Sequence, residues 1–365
     1  MSNLTKDTTL ISSQDLFLFL KAVFEANGFS NAHANQSAEV LIAADLRGID
    51  SHGAARLEGY CRLIKAGRIN PTPNLKITKS RGVNFTVDAD GAIGLVSAPW
   101  AMAEVKNRTE LHGAGFAAIG NSNHYGIAGY HAMKALDFDA IGFSMTNASP
   151  LVSVAGGKER LLGTNPIAIA VPAGKQPPFV LDMATSAAAN GKLQIASRKE
   201  ESIPTGWATD QEGKDSTDAN ALKTGGNLLP LGSNMKNGMH KGYGLGSWVD
   251  IFCGVLSGAN FGPWVPPFVS FLQPLANLPG KGLGHFVGAW SVDGFMELDE
   301  FKQRMDVWIE RFKLSEPLDA NTPVMVPGEP EMIHYNDRVK NGIPLNNKIL
   351  GEIRNIGSSF NVILK

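Results

Sequence analysis

Residues 115–119 read as a short apolar strand, residues 128–135 as a helix, and residues 140–145 as another strand. Strand, turn, helix and strand in immediate succession commit the chain to an α/β core. The turn between the first strand and the helix reads Asn121-Ser122-Asn123-His124-Tyr125-Gly126. Small polar residues and glycine let backbone and side chains close on a polar ligand at such a turn. The unperturbed range of a histidine would let His124 give or take a proton near neutral pH. Capping Asn and Ser beside a solvated ring would account for the same residues, so this stretch alone leaves catalysis open.

The rest of the chain follows the same alternation. Its 365 residues suggest two domains, interleaved or consecutive. Helical patterns occupy 13–26, 31–47 and a third stretch through 64; strands are expected at 75–78 and 83–88, and a long helix at 95–111 stopping at Gly113. Further strands fall at 167–171, 178–181 and 284–290, and further helices at 187–197, 240–256, 298–314 and 346–356. Polar sequence through Gly226 reads as surface loops, and 324–330 as a loop. Residues 261–284 are rich in Pro and large apolar side chains such as Trp264 and Phe268, which suits a pocket lid or a subunit contact.

Composition excludes several classes. A net charge of -1 gives no basic field for nucleic acid or acidic lipid. The Pro residues of 261–284 break any membrane-spanning helix. Cys61 and Cys253 cannot form a zinc quartet and read as free thiols of a reducing compartment, hence the cytoplasm. Residues 1–13 carry no apolar run that would mark a signal peptide. The eight His show no pairing with Glu of the zinc-hydrolase kind, so no metal is expected. No Gly-x-Ser-x-Gly elbow supports serine hydrolysis.

A second polar stretch offers chemistry. In Asp50-Ser51-His52-Gly53-Ala54-Ala55-Arg56, helical geometry would place His52 and Arg56 on one face. A guanidinium fork suits a carboxylate, and Ser51 adds a hydroxyl at the helix start. An ordinary cap with a solvated Arg competes, but two His-bearing turns in an α/β chain suggest one converging site. The usual dinucleotide fingerprint is absent: no Gly-x-Gly-x-x-Gly joins a strand to a helix. Residues 156–165, 182–186 and 240–242 could hold phosphates through backbone amides and Lys241.

Six motifs in order resemble one family. They are Asp-Ser-His-Gly-x-x-Arg-Leu at 50–57, Asn-Ser-Asn-His-Tyr-Gly at 121–126, Gly-Thr-Asn-Pro at 163–166, Leu-Asp-Met-Ala-Thr-Ser at 181–186, Ile-Pro-x-Gly-Trp-Ala at 203–208 and Lys-Gly-Tyr-Gly-Leu at 241–245. Together they resemble the malate/L-lactate dehydrogenase family, which includes ureidoglycolate, sulfolactate and diketogulonate relatives, in register over about residues 13–330.

The resemblance implies an NAD(P)-dependent homodimer with a non-Rossmann cofactor fold. Residues 76–309 would form a central NAD(P)-binding α/β domain. Residues 1–75 and 310–365 would pack together as a helical, substrate-side domain. It implies substrate contacts from Ser51 and Arg56, an acid/base role for His124 or His52, and cofactor contacts from Asp182, Met183, Ala184, Thr185, Lys241, Gly328 and Glu329. Two stretches depart from the pattern: Ala148-Ser149-Pro150, where several relatives carry an acidic residue before the Pro, and residues 261–284. The expected activity is oxidation of a small 2-hydroxy acid, malate or lactate, with NAD or NADP. A keto acid or cyclic imine reductase using NADPH is the nearest alternative, and a silent dimer that binds an anionic metabolite is the alternative of another class.

Overall fold

The computed structural model describes residues 7–364; the first part of the stretch expected to lack a signal sequence lies outside them. The centre is a seven-stranded sheet with the spatial order Lys76–Arg81, Asn84–Asp88, Ala114–Ser122, Leu283–Ser291, Ala140–Thr146, Ile167–Val171, Phe179–Met183. Only the pair Asn84–Asp88 and Ala114–Ser122 runs parallel; its other neighbours are antiparallel. Ala and Val line the packed face (Ala117, Ala168, Ala170, Val287, Ala289), and small side chains let the helix Gly94–His112 lie close. That helix ends at Gly113, whose φ of 80° is the left-handed cap that glycine adopts freely.

A second core joins the two ends of the chain. Helices Ser13–Ala26, Asn31–Leu46 and Leu57–Lys65 pack with Ile343, Leu345, Leu350 and Ile353 from the C-terminal segment. Thr8–Ile11 pairs antiparallel with Ile343–Asn346, two strands too short and mixed in polarity to announce themselves. Ser12 and Ser30 cap the first two helices through their hydroxyls.

Several expectations need correction. Residues 50–56 are not the start of a regular helix but two 3-10 turns, Asp50–His52 and Ala54–Arg56, broken at Gly53. The polar region before Gly226 is not all loop: Ala208–Thr209 and Asp215–Ser216, with Asn227–Leu228 just beyond it, join Val152–Ser153 and Arg160–Leu162 in a small five-stranded sheet. Two-residue strands leave no alternation to read. The helix expected at 187–197 begins at Asn190, and the loop expected at 324–330 gives way at Glu329 to the helix Glu329–Asn341, whose remaining residues the sequence leaves unassigned. Among the described residues no helix is long and apolar enough to cross a membrane.

Candidate active site

The strand Ala114–Ser122 is longer than its apolar part, so Asn121 and Ser122 still belong to the sheet and the chain turns at Asn123. Every neighbour of His124 is tied down. Asn123 donates to the Gly91 and Ala92 carbonyls at 3.0 and 3.2 Å and accepts from Arg68 Nε at 3.0 Å. Ser122 Oγ joins Ser97 Oγ at 2.8 Å and His285 Nε2 at 2.9 Å. Tyr125 is buried and stacks on His285 with ring centroids 4.6 Å apart. The polar residues of this turn build a rigid socket, and His124 is the one that reaches the pocket.

In that pocket His124 meets the 50–56 loop. His52 and His124 stack with centroids 5.8 Å apart and planes 22° from parallel. Nδ1 of His124 lies 2.6 Å from the Tyr60 hydroxyl, and the Gly126 amide approaches the same nitrogen at 3.4 Å. Nδ1 of His52 lies 2.9 Å from Ser51 Oγ. Arg56 donates through Nε to the Ser51 carbonyl. Its terminal guanidinium nitrogens have no hydrogen-bond partner among the described residues, and Arg56 lines the pocket. Burial pushes His52 down to about 3, with Arg56 adding to it. Burial likewise holds His124 well below the ordinary histidine range, helped by His52 and Arg56. Both rings are neutral at neutral pH.

The Pro-rich segment covers this pair. Phe268 lies 4.6 Å from the His124 ring and 5.3 Å from Tyr60, centroid to centroid, and 5.9 Å from the Arg56 guanidinium carbon. Arg62 donates to the Phe268 carbonyl, and Arg68 to those of Pro267 and Pro266, at 2.6–2.9 Å. Ser149 Oγ accepts the Phe268 amide at 2.9 Å. The residue that departs from the family pattern thus fastens a wall of the pocket. An irregular segment without ladder partners needs such carbonyl acceptances to stay buried.

The small pocket of about 80 Å³ adjoins a larger cleft of about 510 Å³, the two sharing walls at His52, Thr164, Ala189 and Gly191. A third recess of about 160 Å³ continues it past Ile49, Ile127, Asp182 and Glu331. Asp182 accepts the Gly129 amide at 2.7 Å. Burial raises its carboxyl to about 6; the Gly129 amide and Arg47 pull it down and Glu331 pushes it up. The floor is small residues. A Cβ on Gly129 would come within 2.9 Å of Asp182 Oδ2, and one on Gly191 within 3.1 Å of Ser51 Cβ. A long cleft with apolar walls, carboxylates and Lys192 fits an elongated nucleotide, and its narrow end fits a small acid.

Not every expected cofactor residue lies on this cleft. Asp182, Ala184 and Gly328 line it. Met183 and Thr185 do not; the Thr185 hydroxyl donates to the Thr164 and Asn165 carbonyls. Lys241 is exposed in the first turn of the helix Met239–Asp250 and outside the cleft. Glu329 is engaged with Lys313 and with the Val326 amide, as a helix-start residue would be. Glu331 and Arg47, passed over in the sequence, line the recess instead. The signal for Glu331 was its place in a first helical turn, and that helix was not foreseen.

Comparison with known proteins identifies the family. The malate/L-lactate dehydrogenase family model matches residues 11–354. A malate dehydrogenase of Pyrococcus abyssi is 40% identical over 353 residues, covering 96% of this chain and 95% of the relative. A malate/(S)-sulfolactate dehydrogenase of Methanothermus fervidus is 34% identical, over 97% of this chain and 99% of the relative. The structure of malate dehydrogenase from Pyrococcus horikoshii superposes with a TM-score of 0.89 at 34% identity, covering 100% of this chain and 99% of that one. The chain belongs to the malate/L-lactate dehydrogenase family, nicotinamide-dependent oxidoreductases that act on the CH–OH group of 2-hydroxy acids.

Proposed function

We propose that this protein interconverts malate or lactate and the matching 2-keto acid with NAD or NADP, with His124 as acid/base and Arg56 holding the substrate carboxylate. The observation that carries the reading is the convergence of His52, His124 and Arg56 in one pocket that adjoins the cleft. Bound nicotinamide supplies or accepts the hydride at C2. Arg56 offers its free guanidinium edge to the carboxylate and so orients C2. His124 takes the hydroxyl proton at Nε2, the nitrogen left free by Tyr60, and returns it in reduction. That role uses the tautomer whose Nδ1–H is donated to the Tyr60 oxygen, and the long Gly126 contact yields to it. Phe268 keeps water from the proton path. Asp182, Ala184, Gly328 and the missed Glu331 would line the nucleotide.

In this reading residues 76–309 form the cofactor-binding unit and residues 1–75 and 310–365 the substrate side. The helix Met239–Asp250 and the turn after it expose Tyr243, Trp248, Ile251, Val255 and Leu256, an apolar face that supports a homodimer. Both cysteines are free, in keeping with the cytoplasm.

The test is loss of reduced-nicotinamide absorbance with oxaloacetate, pyruvate and a panel of 2-keto acids, NADH and NADPH in parallel. Rapid loss with one pair establishes acid and cofactor together. No loss with any pair, from folded protein, removes the 2-hydroxy acid reading and favours an imine substrate or a silent binding protein.

A further inference from the structure

We propose that Asp45, which lines neither the pocket nor the cleft, is a positioning residue. Through the Ala54 amide and its contact with Gly53, it sets the loop that carries Ser51, His52 and Arg56. The proposal rests on reading that loop as the substrate side of the site.

Asp45 is 1% exposed, in the last turn of the helix Asn31–Leu46. A carboxyl group there is costly twice over. The C-terminal end of a helix repels negative charge, and burial removes its water. Stability alone would favour an apolar or amide side chain at this position.

What the carboxyl group touches explains its presence. Oδ2 accepts the Ala54 amide at 2.8 Å, and Oδ1 has no partner. A Cβ on residue 53 would stand 1.8 Å from Oδ1, so only glycine fits against this side chain. Gly53 is the break between the two 3-10 turns. The Arg56 amide donates to the Gly53 carbonyl and the His52 amide to that of Ile49, both at 2.9 Å. Arg56 is therefore hydrogen-bonded to Gly53, and His52 directly precedes it in the chain, so both flank the pair of residues that Asp45 holds. Arg338, from the helix Glu329–Asn341, closes the outer side: it donates to the Asp45 carbonyl and to the Asp50 carboxylate. The loop is clamped from one helix by a side chain and from another by a guanidinium.

The charge state fits a neutral clamp. Burial raises the Asp45 carboxyl to about 8; the Ala54 amide and Arg338 lower it and Asp50 raises it further. Asp50 on the loop and Arg338 from the helix Glu329–Asn341 are the charged groups that act on it. At neutral pH the group is mostly protonated, and asparagine reproduces its shape, its charge and its acceptor for Ala54.

The experiment compares the full chain with Asp45→Asn and Asp45→Ala. It follows hydrogen exchange of the segment 49–57, NADH binding by fluorescence, and KM for oxaloacetate and pyruvate. In Asp45→Ala, exchange in 49–57 is expected to rise about tenfold. KM for the keto acid should rise about tenfold while NADH affinity stays within about twofold. Asp45→Asn should hold the loop at least as well as the wild type at pH 7, because a carboxyl raised to about 8 in the folded loop already loses stability as pH rises from about 4 toward 8, whereas the amide does not titrate. Three results would overturn the proposal: unchanged exchange in Asp45→Ala, equal losses of loop protection and NADH binding, or an Asp45→Asn loop that loosens at pH 7. That last arm decides the matter even where Asp45→Ala fails to fold. If the wild type turns over no keto acid, the reading of the site falls, while the exchange comparison still decides the role of Asp45.

Discussion

The Tyr60 hydroxyl lies 2.6 Å from Nδ1 of His124, and neither residue is near the other in sequence. Tyr60 is fully buried between Phe24 and Phe268, so its hydroxyl has little choice of partner. A fixed oxygen beside Nδ1 selects the ring orientation and leaves Nε2 for the substrate. Replacing Tyr60 with Phe removes the oxygen and keeps the ring packing. We expect kcat to fall about tenfold, the loss of one hydrogen bond of about 1.4 kcal/mol. NADH fluorescence titration should show unchanged cofactor affinity; a weaker cofactor complex would point to a structural role.

The stacked pair His52 and His124 poses an assignment that variants resolve. His124→Ala should lower turnover by about 10²–10⁴, the range for removing a general acid/base. Cofactor binding should survive, because His124 faces the substrate pocket and not the main cleft. His52 lines both, so His52→Ala should disturb KM for acid and cofactor together. Full activity in His124→Ala with loss in His52→Ala reverses the two roles.

Much of this site was legible because its residues sit in short, unusual strings. Ser51-His52-Gly53 and Asn123-His124-Tyr125 are polar turns inside apolar surroundings, and each marks its place without help from the fold. The helices Ser13–Ala26 and Gly94–His112 were plain from their periodicity and stop signals. What stayed hidden depends on contacts between distant segments. Tyr60 reads as one more apolar position of a helix, and Ser149 only as a departure from the family pattern, until the fold sets His124 beside one and the Phe268 amide beside the other. Glu329 and Glu331 could not be told apart without the helix that turns one toward Lys313 and the other toward the cleft. The small sheet failed for a simpler reason: two-residue strands have no period.

Arg56 offers a test of the carboxylate clamp. Its Nε is spent on the Ser51 carbonyl, which fixes the plane of the guanidinium and leaves the far edge for substrate. Arg56→Ala should raise KM for the keto acid about a hundredfold, the loss of a charge-assisted bidentate contact of about 3 kcal/mol. Arg56→Lys should recover little, because an ammonium cannot hold the Ser51 carbonyl and a carboxylate edge in one plane. A KM near the wild type in Arg56→Lys would mean that only positive charge is needed. In all these variants kcat should change less than KM.

The two directions of the reaction should respond to pH with opposite sign. Burial, His52 and Arg56 hold His124 well below its ordinary value of 6.5, so the free enzyme carries a neutral ring through the neutral range. Oxidation of a 2-hydroxy acid needs that neutral base. Its kcat/KM should stay flat from about pH 8 down to about pH 6 and fall only at lower pH, once the ring is protonated. Reduction of the keto acid needs the protonated ring, a form that becomes about tenfold scarcer for each pH unit above the depressed pKa. Its kcat/KM should therefore fall about a hundredfold over the same two units. Initial rates in both directions, at saturating cofactor and limiting acid, measure this directly. An oxidation profile that already bends near 6.5 would show an unshifted base, and the base would then lie outside the enclosed pair His52 and His124.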